Sequence, residues 1–306
     1  MNSTQAQCFE ELTKFLNKQG ALEQVMTPSI VNLVFNVVLT LTASVGNSLI
    51  NCAIFTTQNL QTPSYLLITS LAFTDLLVGL VYHPLQTLLM VHILNKNAKG
   101  VCQIISIYSF VITFLSVLSF LMVALISIDR NLAFNLRQRY RITVTKRRVR
   151  LVIYLGWMFS LPFGFSSIFL QHQVHVPTLI SFLGLLLLST ICFYVNAYRG
   201  LRHIGHTVHP PQPNQLQSTF NVLKYRKTLK TMVIVLVCLL LCFAPFICSL
   251  VVIVSYGVST ATITFAFACL TLLALHSSIN PVIYIIGFRD IRRQVRKQIL
   301  DNLCHH

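Results

Sequence analysis

Charge is what this 306-residue sequence lacks most: 10% of its residues are Asp, Glu, Lys or Arg, while 55% are hydrophobic. Soluble domains carry roughly 25% charged residues, so the shortage excludes a soluble globular protein and leaves a membrane protein. Acid is scarcest, with seven Asp and Glu against 23 Lys and Arg. No expected span contains a lysine, which excludes a light-driven pump built on a retinal Schiff base. Ion or proton transport needs a chain of ionisable groups across the membrane, and Asp75 with His276 is too few. A seven-helix ion or proton transporter nevertheless stays the competing class. No metal-ligand cluster and no nucleophile–base pair stands at catalytic spacing, so the chain reads as no enzyme. Matching halves with matching broken helices, the mark of many transporters, are missing. Residues 1–28 also lack a signal-peptide core, so the first span is expected to act as an uncleaved targeting signal.

What is present is long apolar runs. A span needs about 20 predominantly apolar residues, and seven such runs lie near 29–55, 64–90, 102–129, 151–170, 178–198, 231–256 and 262–286. The fourth and fifth are parted only by a segment around His172 to Pro177. The fold class that follows is an all-α membrane protein, a seven-helix bundle. Its segments are an N-terminus over 1–28, the bundle over 29–286, and a short amphipathic helix with a tail over 287–306.

The basic residues set the orientation. Eight lie between Arg130 and Arg150, six from Arg199 to Lys230 and five from Arg289 to Lys297. These 19 of 23 fall in alternate loops and the tail, which is the positive-inside pattern. The N-terminus is expected outside and the C-terminus in the cytoplasm. The same distribution accounts for the net charge of +16 without nucleic acid, since the basic residues are confined to loops and have no interleaved aromatic motif. Past the last run, Phe288, Ile291, Val295 and Ile299 recur at helical spacing among arginines, as in a helix lying on the inner leaflet.

The nine cysteines form no spaced framework. Those within runs read as small apolar fillers. Cys8 and Cys102 both face the outer side and could pair, though the spacing does not demand it. Cys304 stands at a palmitoylation position, and Asn2-Ser3-Thr4 is a glycosylation acceptor pattern.

Polar residues inside the runs carry the chemistry. Pro281 removes a backbone donor in the patch from His276 to Tyr284, so the helix bends there and needs partners for its freed groups. Asp75 is mid-span, and an intramembrane carboxylate is a functional hypothesis by default. Asn47, Ser119, Ser277 and Asn280 lie at similar depth. Together they make either an oxygen-rich site for a small cation such as sodium or a hydrogen-bond cluster around a protonated acid. Asp129-Arg130 is either an interfacial anchor or a switchable ion pair.

In combination these motifs resemble those of the rhodopsin-like, or class A, G-protein-coupled receptors, and the likeness covers all seven runs. It is carried by Gly46-Asn47, Leu71-Ala72-Phe73-Thr74-Asp75, Asp129-Arg130-Asn131, Trp157, Tyr198, Cys242-Phe243-Ala244-Pro245 and Asn280-Pro281-Val282-Ile283-Tyr284 with Phe288. The resemblance implies a receptor in the plasma membrane with an extracellular ligand and a heterotrimeric G protein as partners. It implies no cofactor beyond an allosteric sodium ion, held by Asp75, Ser119 and Asn280 with Asn47 and His276 nearby. Arg130, paired with Asp129, would contact the G protein as the inner ends of spans five and six move outward. Tyr198 and Tyr284 would swing inward to hold that state, while Pro245 and Pro281 supply kinks and Phe243 a toggle.

Several positions depart from the family pattern. Asn131 replaces an aromatic residue, Phe243 a tryptophan and Thr190 a proline, and no cysteine stands between spans four and five. The short loop and the missing proline resemble the melanocortin, cannabinoid, lysophospholipid and adenosine receptor group. His276 reads either as a neutral histidine satisfied by Ser119 or a water, or as a proton carrier that competes with sodium. The ligand positions implied by the family are Gln86, Ile112, Thr113, Ser116, Phe182, Phe243, Phe246, Leu250 and Leu270. None is acidic, so a neutral or apolar ligand is expected rather than a biogenic amine; the plainer reading is ordinary packing.

Overall fold

The structure, a computed structural model, describes residues 21–136, 139–207, 216–257 and 259–304. Asn2 and Cys8 lie outside these residues, as does the side chain of Cys304. All regular structure among the described residues is helical. Seven long helices form the bundle: α1 (Ala21–Thr56), α2 (Pro63–Leu94), α3 (Ala98–Leu136), α4 (Lys146–Phe169), α5 (His172–Thr207), α6 (Leu216–Tyr256) and α7 (Thr260–Gly287). An eighth, α8 (Arg289–Cys304), follows.

Each expected run sits in one helix, but several helices extend past their runs. At one end α3 reaches Leu136 and α5 reaches Thr207, into the segments rich in Lys and Arg. An apolar run marks only the hydrocarbon, whereas Lys, Arg and Gln continue a helix well in water. This end, which also carries α8, is called the basic end below. The link between α4 and α5 is tighter than the sequence implies. Only Leu170 and Gln171 separate them, and His172 to Pro177 form the first turns of α5. Pro177 lies inside α5, in its second turn, and leaves the Gln173 carbonyl without its helical donor.

Local chemistry sets the other boundaries. Pro63 opens α2 behind an extended Thr62. Gly257, at φ +76°, ends α6 by adopting the left-handed conformation that closes a helix, its N–H reaching the Ile253 carbonyl. Ser259 and Thr262 then form a capping box at the start of α7. Within α2 the turn Val78–Tyr82 is a π-helix, with the His83 N–H donating five residues back to Val78. Pro84 follows, has no N–H and would crowd the Leu80 carbonyl, so the chain widens by one residue before resuming.

α7 packs against α6 and α1, and α3 against α4 and α5. Ile50, Leu71, Leu118, Met122, Leu239 and Tyr284 are fully buried between them. Large apolar side chains such as Val34, Leu41, Leu155, Leu188 and Leu241 point outward, as a lipid-facing surface requires. The α8 stripe corrects an expectation. Phe288, Ile291 and Val295 are buried in the bundle core, and only Ile299 is exposed. Periodicity reports an apolar face but not what covers it; here the bundle does, rather than the leaflet.

Gly46 marks the closest approach of α1 to the bend in α7. A Cβ there would lie 2.9 Å from the Pro281 ring. Gly46→Val is expected to destabilise the bundle by about 1–3 kcal/mol through overpacking. Thermal unfolding in detergent measures it, and an unchanged melting temperature would show that the approach is looser than described.

Candidate functional site

The bend at Pro281 organises the middle of the bundle. Proline at 281 leaves the carbonyl of Ser277 without its helical donor. The Asn47 amide on α1 takes it over, donating to Ser277 O at 3.0 Å and to Ala43 O at 2.9 Å. Sequence depth alone had suggested Asn47 as a partner; the atom it satisfies is the one the proline frees.

Asp75 on α2 is fully buried beside this bend. Its Oδ1 accepts from Ser277 Oγ at 2.8 Å and its Oδ2 from Asn280 Nδ2 at 2.7 Å. His276 Nε2 stands 3.5 Å from Oδ1. The other ring nitrogen is 3.2 Å from the Leu273 carbonyl and 3.3 Å from Ser277 Oγ. The Nδ1 of His276 is thus met within its own helix, not by Ser119. Three buried acceptors near the carboxylate, namely Asn47 Oδ1, Asn280 Oδ1 and His276 Nε2, make no hydrogen bond. A cavity of about 20 Å³ is lined by His276 and Ser277 with Ser116, Ser119 and Phe243 among others, while Asp75, Asn47 and Asn280 are not among its lining residues. One water-sized occupant needs about 10–15 Å³, so the space holds a water or a bare ion and nothing larger. A carboxylate with spare amide, imidazole and hydroxyl acceptors is the donor set a small hard cation takes.

Three of the nine ligand positions, Ile112, Ser116 and Phe243, line this cavity. Phe243 meets Phe120 edge-on at 4.3 Å and His276 at 5.8 Å. Thr113 is buried in α3, while Phe246, Leu250 and Leu270 are half-buried. Phe182 instead stacks on Phe163 at 4.4 Å, within an aromatic seam between α4 and α5. Gln86 belongs to a buried cluster linking α1, α2 and α7. Its amide donates to Asn32 Oδ1, Asn32 donates to Thr271 Oγ1, and His83 Nδ1 meets Asn36 Oδ1 at 2.7 Å. The sequence reading missed Asn32, Asn36 and His83. The rule that singled out Asp75, a polar side chain inside an apolar run, applies equally to them.

At the basic end Arg130 is buried against Asp129, its Nε donating to Oδ2 at 3.0 Å. A second guanidinium nitrogen donates to the same oxygen and to Ser64 Oγ. Ser64 donates to Asp129 at 2.9 Å, and Tyr140, on a one-turn helix at Tyr140–Thr143, donates to the other carboxylate oxygen at 2.5 Å. Burial, reinforced by the Asp129 carboxylate, pushes the Tyr140 phenol above its ordinary range, so it remains a donor. Neither Ser64 nor Tyr140 carried a signal in the sequence. Tyr140→Phe is expected to cost about 1.5 kcal/mol, the low end for a charge-assisted bond because Tyr140 is only half-buried. Thermal unfolding checks this, and a fully retained melting temperature would sink it. A cleft of about 210 Å³ opens beside Arg130, bordered by α2, α3, α6 and the start of α8.

The tyrosine expectation needs correcting on α5. Tyr284 is fully buried, but Tyr198 is 60% exposed. Tyr194, one turn earlier, shares the buried core with Tyr284. Thr190, Tyr194 and Ala197 form the buried stripe at i, i+4 and i+7, which leaves Tyr198 outside it. Pro245 lies within α6 and Pro281, buried, within α7, as the sequence indicated. Cys102 is disulfide-bonded, and Cys8, its pairing candidate, lies outside the described residues.

Known proteins resemble this arrangement. A sequence-family model described as 7 transmembrane receptor (rhodopsin family) matches residues 46–284. Melanocortin receptor 5 of Rattus norvegicus is 26% identical over 279 residues, covering 87% of this chain and 82% of that one. The crystal structure of squid rhodopsin superposes with a TM-score of 0.75 at 17% identity, covering 91% of this chain and 87% of that chain.

Proposed function

The chain belongs to the rhodopsin family of seven-transmembrane receptors, and from that membership we propose that it carries an extracellular ligand signal to a heterotrimeric G protein. The observation that carries this reading is Arg130, buried and held by Asp129, Ser64 and Tyr140 at the edge of an open cleft. A charge held by partners that can release it is a two-state element. The basic ends of α5 and α6 move outward, Arg130 turns from Asp129 into the enlarged cleft, and Tyr284 follows towards Tyr194. The N-terminus lies outside the plasma membrane and the C-terminus in the cytoplasm, where the Lys and Arg of the loops face anionic lipid.

The mid-bundle residues would hold a sodium ion: Asp75, Ser119 and Asn280, with Asn47 and His276 nearby. A bound cation supplies positive charge to the Asp75 carboxylate and thereby favours the closed arrangement. Ser277 and Asn280 donate to the carboxylate, with His276 Nε2 beside it. Pro281 and Pro245 let changes above this level reach the basic end.

The relative's name indicates melanocortins for that protein. Here the family's ligand positions contain no carboxylate, and Ile112, Phe243 and Phe246 are apolar. A neutral or apolar ligand oriented by Thr113 and Ser116 fits better than a cationic peptide or amine. The test is guanine-nucleotide exchange across a panel of G proteins, basal and with a ligand library, with ion flux in proteoliposomes measured in parallel. Exchange by one G-protein class supports the reading. Ion flux without exchange would replace it with the transporter class.

A further inference from the structure

The cleft at the basic end holds a second carboxylate, and it comes from α8. Asp290 borders the cleft together with Arg130, Asp129, Tyr65 and Thr228. The Tyr65 hydroxyl on α2 donates to Asp290 Oδ2 at 3.4 Å. The Tyr65 ring meets Phe288 edge-on, with centroids 5.9 Å apart. Phe288 is buried and is the residue at which the chain turns from α7 into α8. Tyr65 therefore fixes both the turn and the first acid of α8 to the bundle.

The charges around the cleft give this placement its meaning. The inner part of α6, residues 216–231, contains Lys224, Arg226, Lys227 and Lys230 and no acid. Arg130 faces that helix across the cleft, so α6 has no opposite charge with which to hold the guanidinium. Among the described residues bordering the cleft, the carboxylates are Asp129 and Asp290. We propose that Asp290 and Tyr65 are positioning residues, a clamp supplied by α8 and α2 that holds Arg130 and the basic end of α6 in the closed arrangement. Removing the Asp290 charge leaves Asp129 as the one carboxylate facing Arg130 among the described residues bordering the cleft, and the balance shifts towards separation. A population shift of this kind raises activity only as far as the clamp favours one state over the other.

The competing role for Asp290 is local, since an acid in the first turn of a helix is favourable whatever it faces. Two substitutions separate the roles. Asp290→Asn removes the charge, and Tyr65→Phe keeps the ring on Phe288 while removing only the hydroxyl. The clamp predicts that Asp290→Asn raises basal nucleotide exchange about two- to five-fold at matched surface amount, the range for an interaction between charges at an exposed site. It predicts a smaller rise for Tyr65→Phe and the wild-type level for Asp290→Glu. A purely local role predicts a lower melting temperature for Asp290→Asn and no change in exchange for Tyr65→Phe.

The inference rests on the G-protein reading, so a second measurement needs no G protein. Thr228→Cys is introduced at the cleft and labelled from the basic face of inside-out vesicles with a charged, membrane-impermeant thiol reagent. Faster labelling in Asp290→Asn and Tyr65→Phe, restored by Asp290→Glu, supports the clamp. Unchanged or slower labelling in both overturns it, whatever exchange does. Faster labelling without exchange on any G protein keeps the clamp and removes the G-protein reading instead.

Discussion

Arg130→Ala is expected to bring nucleotide exchange down to the level of receptor-free membranes while the protein still reaches the surface. The two halves of this outcome have separate physical causes. Exchange fails because the guanidinium is the one buried cation poised at the cleft among the residues described here as bordering it. Surface amount persists because its removal does not orphan Asp129. Breaking a buried ion pair usually costs about 3–5 kcal/mol, since the remaining charge is left without a partner. Here Tyr140 at 2.5 Å and Ser64 at 2.9 Å still donate to the carboxylate. Combining Arg130→Ala with Tyr140→Phe should therefore lose far more surface protein than either change alone, a non-additivity that a double-mutant cycle measures. Exchange that survives Arg130→Ala at matched surface amount would refute the role.

Asp75→Asn is expected to abolish the dependence of basal exchange and ligand affinity on sodium. Coupling between two sites on one receptor is worth about 5- to 150-fold, so a sodium effect of that size should fall to none. Asparagine keeps the volume and one acceptor oxygen for Ser277 or Asn280 but carries no charge. The spare acceptors Asn47 Oδ1, Asn280 Oδ1 and His276 Nε2 remain, yet neutral acceptors alone hold a monovalent ion weakly. The measurement compares sodium with choline at constant ionic strength, which separates binding from screening. Sodium sensitivity retained in Asp75→Asn would remove the site from this part of the bundle.

Most of the architecture was legible because lipid imposes strict rules. Hydrocarbon tolerates helices alone here, so seven apolar runs translate directly into seven helices. The mid-bundle site was legible for the same reason. Buried Asp75, Asn47 and Asn280 must find polar partners or remain costly, and they do: Asn280 donates to Asp75, and Asn47 to the Ser277 carbonyl. The misses share a different cause. Tyr198 follows Thr190, where the family's proline is missing, so no proline fixes which tyrosine of α5 turns inward; burial selects Tyr194. The apolar stripe of α8 was visible, but its partner depended on how sharply Phe288 turns the chain. Tyr140 and Ser64 reach Asp129 only through the fold, because each stands on a different helix from it.

The widened turn at Val78–Tyr82 makes chain length itself a source of selectivity. Ordinary helix advances about 100° per residue, so deleting one residue there would rotate everything outward of it by about that angle. His83 and Gln86 would leave the seam with Asn36 and Asn32 and face a different neighbour. Tyr82, which now stacks on Tyr108, would turn away as well. The outer half of α2 thus behaves like a dial with one-residue clicks. A relative one residue shorter in this turn would show its ligand a different set of side chains even if every other position were identical.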